Sequence, residues 1–230
     1  MIVLLAAGLA LGSPFPAATP SVLLPPTAVL AKYRHALATL KEPHDFAFEY
    51  TMQQTGTRTL EQTHRVFRSG RDERDETMAV NGTRTGSPVV RIFRNRPYRY
   101  SVAALAPKPA AYDFAYAGVH RDGKHVDYVF ALTPLVPKPG ITFTEVAIDG
   151  ATFLPQSVAF ASDQHAARGS VTFAKADRYW VARLASAQAN VPGGVARERL
   201  AFVKWRFPTG LPRSTFAMPR PLPTLRPTLP

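Results

Sequence analysis

Phe46-Ala47-Phe48-Glu49-Tyr50-Thr51-Met52-Gln53 decides the fold class. Large apolar side chains at 46, 48, 50 and 52 alternate with small or polar ones, and a period of two marks a strand with one greasy and one wet face. The same signal recurs along the rest of the chain. Gly56 turns it into a second strand at 57–68, which Ser69-Gly70 ends. Asn81-Gly82 is a hairpin signal, followed by strands at 88–95 and, past Arg96-Pro97, at 98–105. Asp122-Gly123 joins 112–120 to 125–133, and segments 141–148, 153–161, 169–176, 179–188 and 197–207 complete the series. Before Phe46 stands one amphipathic helix. Thr27 can cap it, Val29, Leu30, Tyr33, Ala36, Leu37 and Leu40 share one face, Lys32, Arg34, His35 and Lys41 the other, and Pro43 stops it.

Geometry turns this inventory into an architecture. About eleven strands at roughly 4.8 Å spacing make a sheet some 50 Å wide, whereas a helix of about 14 residues is only about 21 Å long. Such a helix cannot cover the apolar face of such a sheet. The expectation is a mainly β (α+β) fold: an antiparallel, unclosed barrel or highly curved sheet with the N-terminal helix as plug or lid. Its inward candidates are Tyr33, Leu37 and Leu40 on the helix, with Phe46, Phe48, Tyr50, Phe67, Tyr98, Tyr100, Phe130, Phe143, Phe160, Trp180 and Trp205 on strands. They either fill a solid core or line a hollow pocket; volume arguments on the sequence leave both open.

Composition and chain ends set the context. The 230 residues hold no cysteine, which excludes disulfides, thiolate metal sites and thiol catalysis, and 28 Lys and Arg against 16 Asp and Glu leave +12. The run at 2–11, IVLLAAGLAL, is too short to span a bilayer and fits the apolar part of a secretory signal peptide, expected at 1–18. A Pro-rich linker at 19–27 leads into the folded unit at 28–217, and a Pro-rich disordered tail is expected at 218–230. Export places the protein in the periplasm or outside the cell and removes nucleic acid as the partner of its charge. An anionic membrane surface then suits the cluster Arg91, Arg94, Arg96 and Arg99, interleaved with Phe93, Tyr98 and Tyr100.

The leader, the single helix, the Phe46-Ala-Phe48-Glu-Tyr50-Thr strand, the strand at 57–67 and the Asn81-Gly82 turn together resemble the opening of LolA/LolB-type periplasmic lipoprotein carriers and acceptors. The resemblance implies an unclosed barrel whose hydrophobic cavity takes acyl chains. The chain departs from that pattern in lacking inserted lid helices and in carrying Arg65-Val-Phe67-Arg68 and the charged stretch 71–76 after the first strand. What it implies is a monomeric, non-enzymatic carrier whose partners are lipid or lipoprotein acyl chains. An envelope sensor or interaction module with a solid core is the competing expectation.

Catalytic motifs are scarce. There is no Gly-x-Ser-x-Gly elbow and no Walker or Gly-x-Gly-x-x-Gly loop, and no cofactor is expected. His120 and His125 flank Arg121-Asp122-Gly123-Lys124 and are expected to face each other, with Asp127 nearby, but without a third ligand they read as a solvated hairpin end rather than a metal site. The tandem Arg71-Asp72-Glu73-Arg74-Asp75-Glu76 reads as a solvated edge or turn.

Overall fold

The structure is a computed structural model that describes residues 23–96, 100–123, 125–137, 139–162 and 166–218. The expected leader, part of the linker, nearly all of the tail, and Tyr98 and Arg99 lie outside these residues. Eleven antiparallel strands form one curved, unclosed sheet. They are β1 (Asp45–Thr55), β2 (Leu60–Ser69), β3 (Asp72–Val80), β4 (Thr83–Phe93), β5 (Tyr112–Asp122), β6 (His125–Pro134), β7 (Ile141–Asp149), β8 (Pro155–Ser162), β9 (Ala167–Ala176), β10 (Tyr179–Val191) and β11 (Gly194–Arg206). Their order is β4-β3-β2-β1-β11-β10-β9-β8-β7-β6-β5. The chain thus meanders from β1 out to one edge, crosses to the other edge, and meanders back until β11 pairs with β1. Mainly β, antiparallel and unclosed is the class the alternation pointed to.

Local chemistry explains the turns. Asn81 (φ 47°) and Gly82 (φ 77°) both take the left-handed region that a two-residue hairpin turn demands, and Val80 pairs with Thr83 around them. Helix α1 spans Pro26–Thr39 and starts two residues earlier than the Thr27 cap implies. Pro25 is the capping residue and no side chain caps the end; Pro26 at the first position has no N–H to satisfy, so no cap is required there.

Two sequence readings need correction, and they offset each other in the strand count. Residues 72–76 are not a solvated edge or turn but the first half of β3, an interior strand whose Glu73 is fully buried; only Arg71 belongs to the preceding turn. The stretch 98–105 is not a strand of the sheet. There Ser101 makes a single antiparallel bridge to Val181, Ala182 N–H donates to the Tyr100 carbonyl, and Val102–Leu105 forms a one-turn helix, α2, capped by the Ser101 hydroxyl. This crossover between the two sheet edges buries Val102 and Ala106, so it fills the interior as well as α1 does.

Candidate functional site

The inner face of the sheet is built by alternation plus one irregularity. On β1, Phe46 and Phe48 are fully buried and Tyr50 follows on the same face. On β11, Phe202 points inward opposite Tyr50, and strict alternation would send Trp205 outward. A bulge intervenes: Ala47 pairs with Arg206 and Glu49 with Val203, while Lys204 takes φ 56°. The extra residue returns Trp205 to the inner face, stacked on Phe48 with ring centroids 4.4 Å apart. Tyr100 from the crossover meets Phe48 at 4.8 Å, edge to face. The aromatic cluster is therefore in van der Waals contact, and Trp205 Nε1 is a buried donor without an acceptor among the described residues.

Helix α1 roofs the other half of this face. Val29 and Tyr33 are fully buried, whereas Leu30, Ala36, Leu37 and Leu40 are half-buried against the same cluster. Tyr33 packs on Phe114, 5.8 Å between centroids, and its hydroxyl donates to the Pro107 carbonyl at 2.7 Å. Burial raises the Tyr33 hydroxyl far above its ordinary range, so it stays a donor. Leu24 N–H donates to the Tyr128 hydroxyl, and Lys32 Nζ lies 4.9 Å above the Phe153 ring. No residue of α1 joins an ion pair among the described residues.

Of the expected cavity residues, Tyr33, Phe46, Phe48 and Phe130 are fully buried, and Leu37, Leu40, Tyr50, Tyr100, Phe143, Phe160, Trp180 and Trp205 pack against them. Phe67 does not join them. It pairs with Ala47 on the opposite face, because the inner positions of β2 belong to His64, Val66 and Arg68. The flank of the inner face formed by β2 and β3 is therefore charged, which the sequence reading missed. Arg68 and Glu73, both fully buried, bond at 2.9 Å, Arg96 donates to the second Glu73 oxygen, and Arg68 also holds the Gly70 and Arg96 carbonyls. Next to them the Tyr50 ring stacks on His64 (4.5 Å, 7°), and Asp75 bonds both the His64 ring at 2.8 Å and the Tyr50 hydroxyl at 3.3 Å. Burial and the Asp75 charge push the Tyr50 hydroxyl up. One signal for the ion pair was available: a two-residue turn at Gly70-Arg71 sets Ser69 opposite Asp72 and hence Arg68 opposite Glu73.

The expected basic surface is only partly free. Arg94 pairs with Asp72 and donates to the Phe216 carbonyl, and Arg96 is the partner of Glu73; Arg91 is exposed. His120 and His125 do not face each other. Asp122 opposes His125 and Asp127 opposes His120. Burial and the nearby Asp149 raise the Asp127 carboxyl, while the two histidines oppose that shift. No group of three or more His, Asp or Glu among the described residues is placed to hold a metal ion.

A depression of about 1020 Å³ opens on the other side of the sheet. Two cross-strand rows form it, Gln53-Arg199-Ser186-Ser170-Ala159 and Thr55-Arg197-Gln188-Arg168-Ala161, each a chain of directly opposed partners. Opposed residues share a face, and these rows lie on the face away from Phe202 and Val171. Small side chains on β8 to β10 form the floor while arginines and glutamines form the walls. The Ser170 and Ser186 hydroxyls touch at 3.2 Å. Of the expected cavity residues, only Phe160 borders it.

No protein-family profile matches the chain, and no curated protein does. Among solved structures, it is similar to a LolA superfamily protein from Nitrosomonas europaea (11% identity, 85% of this chain and 99% of that one, TM-score 0.48). It is similar to a DUF1329 family protein from Desulfovibrio piger at 12% identity, over 82% and 97% of the two chains, TM-score 0.48. An outer membrane lipoprotein-sorting protein domain from Vibrio parahaemolyticus follows at 18% identity, 81% and 95% coverage and TM-score 0.47.

Proposed function

We propose that this chain is an exported, non-enzymatic binding protein of the bacterial cell envelope that takes an acyl chain or a lipoprotein lipid anchor between α1 and the inner face of the sheet. The observation that carries the reading is a helical roof with few polar ties of its own. Helix α1 covers an apolar, aromatic face with two fully buried side chains and one long hydrogen bond of its own, and no ion pair among the described residues locks it. Lifting it exposes Val29 and Tyr33, at about 1.5–3 kcal/mol each, and breaks hydrogen bonds worth about 1 kcal/mol each. The sum is about 5–8 kcal/mol. An acyl chain of about fourteen methylenes gains up to about 11 kcal/mol at roughly 0.8 kcal/mol per buried methylene. An acyl chain in the place of the helix returns burial of this order to the aromatic face. An ester or amide carbonyl near the head of that chain is also the acceptor that Trp205 Nε1 lacks.

The chain has no cysteine, so Leu37→Cys creates a unique label site on the roof. Leu37 is half-buried, and the truncation costs less than the 2–5 kcal/mol of a fully buried leucine. Added fatty acid or lipopeptide should change the labelling rate at position 37 or the emission of a polarity-sensitive dye there. A folded variant indifferent to every acyl ligand would overturn the reading. One observation favours the second reading, an interaction module with a solid core: the contacting rings leave the described depression on the opposite, polar face. Under it, ligand binding would respond to Arg197→Gln and leave position 37 untouched.

A further inference from the structure

One end of the sheet combines exposed apolar side chains with unpaired positive charge. The β6–β7 connection, residues 135–140, presents Leu135 at 58% and Val136 at 65% exposure, and Ile141 at the start of β7 is 68% exposed. Three large aliphatic side chains within seven residues are more than the scattered single exposures that need no explanation. The base beneath them is rigid. Tyr112 pairs with Pro134 and packs on Phe143, 5.9 Å between centroids, while its hydroxyl accepts from the Phe143 N–H. The tip is held out by its own scaffold rather than collapsed onto the core.

The backbone of the tip suits an apolar medium. Peptide N–H groups carried out of water without an acceptor are costly, which is why irregular backbone rarely meets lipid. Here Pro134, Pro137 and Pro139 carry no N–H at all, and the Leu135 N–H is already donated to the Ala111 carbonyl. A partner that adds a strand would need the opposite, a row of free donors and acceptors.

The surrounding charge selects the partner. Ile141 pairs with Ser162, Ala161 with Arg168, Arg168 with Gln188, and Gln188 with Arg197. At about 4.8 Å per strand, Arg168 and Arg197 follow about 10 and 19 Å from β7 at the same end of the sheet, their side chains on the outer face and that of Ile141 on the inner one, so the end and not one face carries both features. Neither these two nor Arg199 forms an ion pair among the described residues. Aliphatic side chains on a proline-stiffened tip, beside unneutralised guanidiniums on a chain of charge +12, match an apolar layer under a negative surface.

We infer that this end of the sheet docks on an anionic lipid bilayer, with Leu135, Val136 and Ile141 entering the interface and Arg168 and Arg197 on headgroup phosphates. The inference is independent of the lid. It is tested on the full chain with vesicles of phosphatidylethanolamine and phosphatidylglycerol, and with phosphatidylcholine vesicles as the neutral arm. A polarity-sensitive dye on Val136→Cys should shift to the blue on anionic vesicles, and the shift should fade as salt rises past about 0.15 M. Joint replacement Leu135→Ser, Val136→Ser and Ile141→Ser, all at exposed positions, should lower vesicle co-sedimentation about tenfold or more, a loss the single Val136→Ser should share in part. Arg168→Gln with Arg197→Gln should remove most of the preference for the anionic arm. Unchanged emission on vesicles overturns the inference. So does a blue shift without vesicles that grows with protein concentration, because a second copy then covers the tip. Position 37, tested with soluble fatty acid and no vesicle, reports on the lid alone, so either idea can fail by itself.

Discussion

Glu73→Ala should be among the most damaging single substitutions in this chain. Both Arg68 and Glu73 are fully buried, and Glu73 accepts from Arg68 Nη1 at 2.9 Å, from Arg96, and from the Tyr100 hydroxyl at 3.4 Å. Removing the carboxylate leaves the Arg68 guanidinium inside the protein with neutral carbonyls, those of Gly70 and Arg96, among its remaining partners. Breaking a buried pair from one side costs about 3–5 kcal/mol, because desolvation of the orphaned charge is no longer offset. The exposed pair offers the contrast. Arg94 and Asp72 are 55% and 39% exposed, so Arg94→Gln should cost less than about 1 kcal/mol. Urea unfolding measures both, and at about 2–4 °C per kcal/mol for a chain of this size the Glu73 variant should melt about 6–20 °C lower. The double replacement Arg68→Met with Glu73→Leu should cost less than Glu73→Ala alone, since it removes both charges instead of stranding one. A Glu73→Ala variant within about 1 kcal/mol of the parent, or a double variant worse than the single, would refute this account of β3.

Two further outcomes follow from contacts elsewhere. A Cβ at Gly169 would sit 2.2 Å from the Ser186 carbonyl and 2.5 Å from the Phe160 ring, so Gly169→Ala should cost about 1–3 kcal/mol, whereas Gly210→Ala, with nothing within 4 Å, should be near neutral in the same urea titration. The hydrogen bond from Lys204, opposed by burial and aided by the Lys204 and Arg65 charges, holds the Glu49 carboxyl below its ordinary value. A depressed carboxyl contributes stability above the unfolded value and loses it as pH falls through the folded one. The deficit of Lys204→Met should therefore be present at about pH 7 and gone by about pH 2, and a deficit that does not change with pH would contradict the assignment.

How much of this could be read from the residues depends on which force decides each feature. The class was legible because β1 repeats Phe46, Phe48 and Tyr50 at period two, and period is a property of the chain itself. The Asn81-Gly82 turn was legible for the same reason: only certain residues accept positive φ at both central positions. Strand β3 was not, because Asp72 to Glu76 carries the residues least expected inside a sheet. Tertiary pairing overrode propensity there, through Arg68 and Arg96, whose contributions come from turns and crossovers rather than from neighbours in sequence. The inward Trp205 was read correctly for an incomplete reason, since alternation alone points it outward and the bulge at Lys204 restores it. Phe67 shows the converse: as the only aromatic of its strand it read as core, yet the register with Phe46 and Phe48 gives the inner positions to Val66 and Arg68.

The same register logic separates what the two faces can do. On the inner face the large Phe48, Phe202 and Phe173 pack with the small Ala182 and Ala185 of β10, so close packing is reached between side chains of one sheet, the crossover and one helix, and a ligand can enter only by displacing one of them. The crossover is tied by the Ser101–Val181 bridge, the Ala182-to-Tyr100 backbone bond and the Ser101-to-Glu42 bond. Helix α1 has less to break. On the outer face Ser170, Ser186 and Ala159 are small, and nothing in the chain among the described residues fills the space they leave between Arg168, Arg197 and Arg199. The aromatic side chains and the arginines without ion pairs among the described residues therefore fall to opposite faces of one sheet, separated only by its backbone.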